Sequence, residues 1–391
     1  MYQKSKIVDF NKELPKSLQK EIEFLKSFFK NYSNRVYLVG GAVRDILRKR
    51  FFNEDIKIVD IDLEVFGVNE KTFENLMKKL GAKGVGKSFF VYKYRENIDI
   101  SLPRVETKVG VGHRAFRVKI AKDEKEAARR RDFKMNALML NIFNSNLLDF
   151  FGGVDDIKNK KISIIDEEKF KEDSLRVLRA IQFSARFGYK IEKNSAKIMQ
   201  KISLDDLSSQ RVFWEFEKMF KAKFLHFGLY YLLNLKVFEK IFNLKGSRRF
   251  FLKSALELAR NRKNFEKDIY KFYFLYIVRK NIHKKILYFL DILKAPNEYY
   301  KMFKKQKLLP KNRSDRFLVA LSLTYPLKLW LGNYKRDVKK RAKKFDIWDK
   351  KFDGGVKPKD ILKEGFFGKE LGIEIKKRRL EIIRKNYKGI E

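Results

Sequence analysis

Two carboxylates, Asp60 and Asp62, stand one residue apart in VDIDLEVFG (residues 59–67). Shortly before them, YLVGGAVRDIL (residues 37–47) carries a double glycine and then Arg44. On a strand, residues two apart project from one face. Asp60 and Asp62 can therefore share divalent cations, as two-metal phosphoryl transfer requires. Taken alone, the same pattern also suits a solvated acidic strand end. Gly40 and Gly41 precede a helical pattern, and free N–H groups at a helix start favour phosphate. Glycine lets that phosphate approach the backbone closely. Arg44, one turn in, can reach the same anion. A double glycine means little by itself; followed at this distance by D-x-D, it points to a triphosphate held beside metal ions.

Composition narrows the ligands. Cysteine is absent, which excludes disulfides and thiolate metal sites, and the three histidines (His113, His226, His283) are scattered. Any metal must be held by carboxylate oxygens, which select Mg²⁺ or Mn²⁺. With 91 Lys and Arg against 49 Asp and Glu, the net charge of +42 calls for a polyanionic partner, and nucleic acid is the usual one. A lysine-rich compositional habit is the competing explanation for part of the excess. No apolar run approaches the roughly 20 residues of a spanning helix. The opening residues, MYQKSKIVDFNKELPK, lack an apolar signal core. The expectation is a cytoplasmic protein without a membrane segment.

The elements that would position these residues follow from periodicity. Leu18, Ile22, Leu25 and Phe29 predict an amphipathic helix behind Pro15 that ends near Asn34. A strand follows at 36–39, then a short helix from about Val43, a strand at 58–65 and a helix at 71–80. Further strands are predicted at 89–94, 98–102, 116–120 and 137–142, with a turn at Asn144-Ser145-Asn146. After Gly152-Gly153 strand signals become rare. From about residue 165 the chain reads as all-α, in two or three bundles, with 270–278 as an internal helix.

LVGGAVRDIL and DIDLEVFG together resemble the signature of class II tRNA nucleotidyltransferases and bacterial poly(A) polymerases, members of the polymerase-β-like superfamily. The resemblance continues through DISLPRVETKVGVGHRAFRV, EAARRRDFKMNALML, LLDFFGGVDDIKNKKI and EDSLRVLRAIQFSARFGYKI, and more faintly in KPKDILKEGFFGKELG. Its strong part covers residues 36–215. It implies an α+β chain with a polymerase-β-like nucleotidyltransferase head of mixed sheet and helices (1–150). A helical neck that recognises the base (151–225) and a helical body and tail that bind tRNA (226–391) would follow.

The resemblance also implies roles. Asp60 and Asp62 would be ligands of two Mg²⁺ ions, with Asp99 as a third catalytic carboxylate. Ribose and phosphate recognition would fall to Arg130, Arg131, Asp132 and Asn136, residue types suited to hydroxyls and phosphate. Lys134 stands where the family has Thr or Ser. In EDSLR, Asp173 and Arg176 are helix neighbours. Read from spacing alone they are a surface salt bridge; in the family these positions read the base edge. C and A both offer an amine to a carboxylate and a ring nitrogen to a guanidinium, whereas U and G place a carbonyl against Asp173. Arg179 matches a further arginine toward the triphosphate, and Gln182 replaces the next one.

The function implied is template-independent addition or repair of the 3′-terminal CCA of tRNA from CTP and ATP. CC-only, A-only and poly(A) addition are alternatives within the family, although the segment 104–128, where its specificity loop lies, is complete. A nucleotidyltransferase acting on a small molecule or protein would lack RRRDF and EDSLR. A non-catalytic RNA-binding protein would not need D-x-D.

Overall fold

The computed structural model describes residues 3–6, 9–85, 90–108 and 116–387. Two compact units make up the chain: residues 1–208 with 234–236, and residues 209–233 with 237–391.

The strands of the first unit are β1 (Gln3–Lys6), β2 (Val36–Val39), β3 (Ile61–Val65), β4 (Lys83–Gly84), β5 (Val91–Arg95), β6 (Ile98–Ser101), β7 (Arg104–Lys108), β8 (Phe116–Ile120), β9 (Met139–Asn141), β10 (Asn146–Asp149), β11 (Lys161–Ile162) and β12 (Lys190–Ile191). Eight of them form one mixed sheet in the order β1-β10-β9-β2-β3-β6-β5-β4. Its one parallel pair is β3 with β6, which sets Asp62 beside Asp99 and Glu64 beside Ser101. The β7–β8 hairpin stands apart from this sheet. Residues 109–115 of the expected specificity segment, and Phe89 at the expected start of β5, lie outside the described residues.

The helices that matter to the site are α1 (Lys16–Phe29), α2 (Gly41–Phe52), α3 (Glu70–Lys79), α4 (Glu124–Arg129), α5 (Gly153–Lys158), α6 (Glu167–Lys171) and α7 (Leu175–Phe187). In α1 the predicted apolar residues Leu18, Ile22, Leu25 and Phe29 are all buried, and the helix stops at Phe29 rather than near Asn34. α2 is longer than expected and starts at Gly41; Gly40 before it takes a left-handed φ of 68°. That turn also shortens β3. Val39 is the last residue of β2 and pairs with Asp62, so with Gly40 turned away Asp60 has no partner on that side. Asp60 therefore sits just ahead of the ladder, and the strand begins at Ile61 instead of 58.

The predicted turn at 144–146 forms, with the Asn144 carboxamide oxygen accepting the Asn146 N–H at 2.9 Å. Residues 137–138 do not join β9; they follow a 3₁₀ turn at Lys134–Asn136. Gly152-Gly153 forms a packed corner. Asp149 accepts N–H groups from Phe151, Gly152, Gly153 and Val154. A Cβ on Gly153 would lie 2.3 Å from the Lys134 carbonyl oxygen, so α5 can abut the 3₁₀ turn only with glycine there.

The expectation of an all-α chain from 165 onward meets one small exception. Gly188, at φ 70°, ends α7, and the chain then pairs Lys190 and Ile191 in parallel with Lys161 and Ile162. A two-residue strand carries no periodicity, so pattern could not reveal it.

The second unit is built of helices from Ser209–Phe220 to Gly368–Asn386. One of its cores gathers Leu318, Val319, Trp330, Val338, Ala342 and Ile383. The expected internal helix at 270–278 is divided: one turn ends at Tyr270, and Tyr273–Ile282 follows with Tyr273 to Val278 all buried. Across this region Glu257, Lys280 and Tyr334 share hydrogen bonds of 2.7–3.1 Å, which satisfies a charge pair inside the bundle. No helix among the described residues is long and apolar enough to cross a membrane.

Candidate active site

The centre of the sheet carries a row of charges. Asp62 on β3 lies beside Asp99 on β6, and Asp99 lies opposite Lys93 on β5. The Lys93 ammonium sits 3.0 Å from an Asp99 carboxylate oxygen. Asp60, exposed at the head of β3, completes the D-x-D pair. Burial pushes the Asp62 carboxyl above its ordinary value, and Asp99, Glu64 and Asp60 push it the same way, against the field of Arg131. Its side chain nevertheless keeps access to solvent, as a ligand-binding carboxylate in a recess must. Among the described residues no group of three or more His, Cys, Asp or Glu side chains gathers as a metal cage. Asp99 faces Lys93 and Glu64 faces Arg130 and Arg131, which leaves the Asp60 and Asp62 carboxylates as the donors of this row, among the described residues, outside an ion pair. That suits Mg²⁺, which binds through one or two carboxylates together with substrate phosphates.

Gly40 lies next to this row. A Cβ built there would fall 2.9 Å from a terminal nitrogen of Arg131 and 3.9 Å from an Asp62 carboxylate oxygen. The double-glycine turn, Arg131 and Asp62 therefore meet at one point, at the start of α2. The Gly40→Ala variant has to carry a φ of 68° with ψ −125°, a region that L-residues scarcely populate, at a cost of about 1–3 kcal/mol, and it must also displace Arg131. The expected result is a lower melting temperature together with weaker triphosphate binding, measured by thermal unfolding and calorimetric titration. Unchanged values in both would remove the glycine from the site.

Arg44, which the sequence directs toward phosphate, keeps a terminal nitrogen 3.5 Å from where a Cβ on Gly41 would stand, yet its side chain is enclosed. It is buried, and its guanidinium donates to both Asp45 oxygens at 2.9 and 3.0 Å and to the Asn136 carboxamide oxygen at 2.8 Å. It also stacks on Phe187 and Phe183, 4.7 and 5.4 Å from their ring centres. The Asn136 amide in turn donates to Asp132 at 2.9 Å. Asp132 accepts Arg179 Nε at 2.7 Å. Burial alone would raise the Asp132 carboxyl; Arg179 and Asn136 outweigh it and hold the group below its ordinary value. Arg44, Asn136, Asp132 and Arg179 thus form one continuous chain of contacts.

Arg176 lies in the first turn of α7. It donates to the Lys169 carbonyl at 2.7 Å and to the Arg130 carbonyl at 2.9 Å. Asp173, half-buried just ahead of α7, accepts the Leu175 N–H at 3.2 Å. Arg176 and Arg179 together fasten the EDSLR helix onto the RRRDF segment. Gln182, in place of the family's arginine, is buried.

Sequence reasoning missed Glu64. It follows Asp62 by two residues and shares its face of β3, yet it is only 1% exposed. One carboxylate oxygen accepts Arg130 at 3.1 Å and Arg131 at 2.9 Å. The available signal was the extended D-x-D-x-E spacing.

The sheet, the glycine turn and the carboxylate row together offer groups suited to a nucleotide and divalent ions. Residues 36–163 match the family described as "Poly A polymerase head domain". The chain is 30% identical over 239 residues to a CCA-adding enzyme of Streptococcus gordonii, covering 60% of this chain and 58% of that one. It is 35% identical over 231 residues to a CCA-adding enzyme of Buchnera aphidicola, covering 56% and 52%. The alignments thus span a little over half the length of these curated relatives. Among solved structures, the Thermotoga maritima CCA-adding enzyme complexed with tRNA aligns over all of this chain and 97% of that one (TM-score 0.68, 20% identity). The Bacillus stearothermophilus CCA-adding enzyme in complex with CTP aligns over 95% and 94% (TM-score 0.65, 18% identity). At these identities the structures establish the fold, and they do so over the length of the chain.

Proposed function

We propose that this chain is a template-independent tRNA nucleotidyltransferase that builds or repairs the 3′-terminal CCA from CTP and ATP. One observation carries the reading: the triphosphate-type site and the expected base reader are parts of one connected structure. Asp62 and Gly40 adjoin Arg131, Arg131 shares Glu64 with Arg130, and the Arg130 carbonyl holds Arg176. A nucleotide whose phosphates lie at the glycine turn would have its ribose near Asp132 and Asn136 and its base toward Asp173.

Asp60 and Asp62 would hold the divalent ions that nucleotidyltransferases of this kind generally require. When bound, such ions make the RNA 3′-hydroxyl more acidic and stabilise departing pyrophosphate. The chain's own groups do the rest. The N–H groups opening α2 and the Arg131 guanidinium orient the phosphates in line with the attacking hydroxyl. Asp132, kept ionised by Arg179, can accept a ribose hydroxyl. Asp173 selects bases that carry an amine.

The functional division proposed is a head at 1–150, a neck at 151–225, and a body and tail at 226–391 that grip tRNA by shape and phosphate contacts. The resemblance and the net charge of +42 support that role, in a cytoplasmic setting. The relatives' names, CCA-adding enzyme, favour full CCA addition over the partial activities.

The deciding experiment incubates tRNA lacking CCA with each nucleotide singly and in combination, and sequences the ends. Ordered addition of C, C and A is expected; failure to extend with any nucleotide would overturn the proposal. tRNA affinity should also fall steeply with salt. At a slope of roughly −0.7 to −0.9 per phosphate contacted, six contacts give about −5 in log K against log salt. A flat dependence in a filter-binding titration would leave the charge as compositional habit.

A further inference from the structure

The residue that the sequence pattern passed over shows how the arginine at the glycine turn is kept in place. Glu64 is buried beneath the site, with its side chain 2% exposed. One of its oxygens accepts from both Arg130 and Arg131, while the other, Oε2, is buried without a hydrogen-bond partner. Arg131 Nε is likewise buried without a hydrogen-bond partner. The Glu64–Arg131 pair is therefore single-pronged, although a guanidinium and a carboxylate ordinarily favour two parallel bonds. Arg131 uses one terminal nitrogen on Glu64 at 2.9 Å, and its other terminal nitrogen lies at the Gly40 turn. The same point is 3.9 Å from an Asp62 oxygen, so Arg131 and Asp62 both border the glycine turn, and the field of Arg131 acts on the Asp62 carboxyl.

Two carboxylates and one guanidinium at this spacing have two arrangements. In one, Glu64 holds the arginine and Asp62 is left to other cations. In the other, Arg131 leaves Glu64, closes onto Asp62 and neutralises it, and its charge is no longer available to phosphate. Glu64 lies deeper than Asp62, and its anchoring oxygen is occupied by two arginines together. That favours the first arrangement.

We propose that Glu64 is a positioning residue for nucleoside triphosphate: it withholds Arg131 from Asp62 and keeps the guanidinium at the Gly40-Gly41 turn. The inference rests on the reading of this site as a nucleotidyltransferase centre. Glu64 itself touches neither phosphate nor metal. Its effect on both is exerted through Arg131, and that gives it a signature distinct from a general structural role.

The test uses the full chain and reads binding as well as turnover. CTP affinity is measured by calorimetry, and Mn²⁺ affinity by electron paramagnetic resonance, for the wild type, Glu64→Gln, Asp62→Asn and the double variant. With Glu64→Gln, Arg131 should move to Asp62. CTP and Mn²⁺ should then each bind about ten-fold or more weakly, the scale of one charge-assisted contact. In the Asp62→Asn background the competing carboxylate is gone, so adding Glu64→Gln should change CTP affinity less than two- to three-fold. Non-additivity of that kind is the mark of residues that share a partner.

Equal losses from Glu64→Gln in both backgrounds, or unchanged Mn²⁺ affinity, would overturn the proposal. If Glu64→Gln does not fold, Glu64→Asp keeps the charge at a shorter reach and carries the test. Partial loss of CTP and Mn²⁺ binding is then expected, and wild-type values would overturn it. A wild type that binds neither CTP nor ATP would instead overturn the nucleotidyltransferase reading, before Glu64 is in question.

Discussion

Asp62→Asn should abolish nucleotide addition while making the metal-free protein slightly more stable. A metal-held phosphoryl-transfer centre supplies several kcal/mol of transition-state stabilisation. At about 1.4 kcal/mol per tenfold, loss of a ligand should lower turnover by roughly a thousand-fold. The stability change has the opposite sign for a separate reason. Burial, with Asp99, Glu64 and Asp60 close by, raises the Asp62 carboxyl. Between its ordinary value and the raised one, the folded state binds more protons than the unfolded state, so stability falls as pH rises through that window. At neutral pH the ionised side chain is therefore a burden on the fold, and the uncharged amide removes it. Below both values the variant and the wild type should unfold alike. Single-turnover extension of tRNA, with melting curves at neutral and acidic pH, reads both effects. Near-normal turnover at saturating Mg²⁺ would overturn the metal-ligand assignment, and a lower neutral-pH melting temperature would overturn the electrostatic one. Asp60→Asn should match it in activity.

Asp173→Ala should alter the choice of base more than the rate of addition. In the proposed base-reading role, U and G bring a carbonyl oxygen against the Asp173 carboxylate with no proton between them. An unpaired buried acceptor costs about 1–3 kcal/mol, and more when charged, or roughly ten- to a hundred-fold in selectivity. Removing the carboxylate removes that penalty, so UTP and GTP should approach CTP and ATP in relative kcat/KM. Arg176→Ala is a different lesion. Arg176 also fastens α7 to the Lys169 and Arg130 carbonyls, so its loss should lower kcat/KM for all nucleotides. Single-nucleotide addition with all four triphosphates separates the two. Preference ratios unchanged in Asp173→Ala would return EDSLR to an ordinary helix start and place the base reader elsewhere.

Much of this site was legible because its chemistry is local. D-x-D and Gly-Gly need only strand alternation and a helix start to acquire meaning; Asp62 lies on β3 and Gly41 opens α2, while Asp60 sits just ahead of the strand. What escaped depended on residues distant in sequence. Glu64 reads as one more acid on a strand until Arg130 and Arg131 fold over it. Arg44 reads as a phosphate ligand by its helical position; that Phe183 and Phe187 pack over its guanidinium depends on residues far along the chain. The start of β3 likewise depends on a distant neighbour, since Ile58 and Val59 continue the apolar pattern but Gly40 withdraws their partner. In the second unit the helical character was plain from composition. The break at residues 271–272 was not, because aromatic residues crowd both sides of it.

The chain of contacts from Arg179 through Asp132 and Asn136 to Arg44 and Asp45 has a consequence for the history of sequences like this one. Each member is charged or amide-bearing, Asp132, Asn136, Arg44 and Asp45 are buried, and each link is satisfied by the next. Replacing one member leaves a polar group of its neighbour short of a partner, most sharply at Asp132, which faces both Arg179 and Asn136; Asp45 keeps Arg48 at 3.4 Å. Single steps through this chain are therefore closed to drift, and change must arrive in matched pairs. Across descendants, these positions should vary jointly or stay fixed, while the solvated lysines around them change freely.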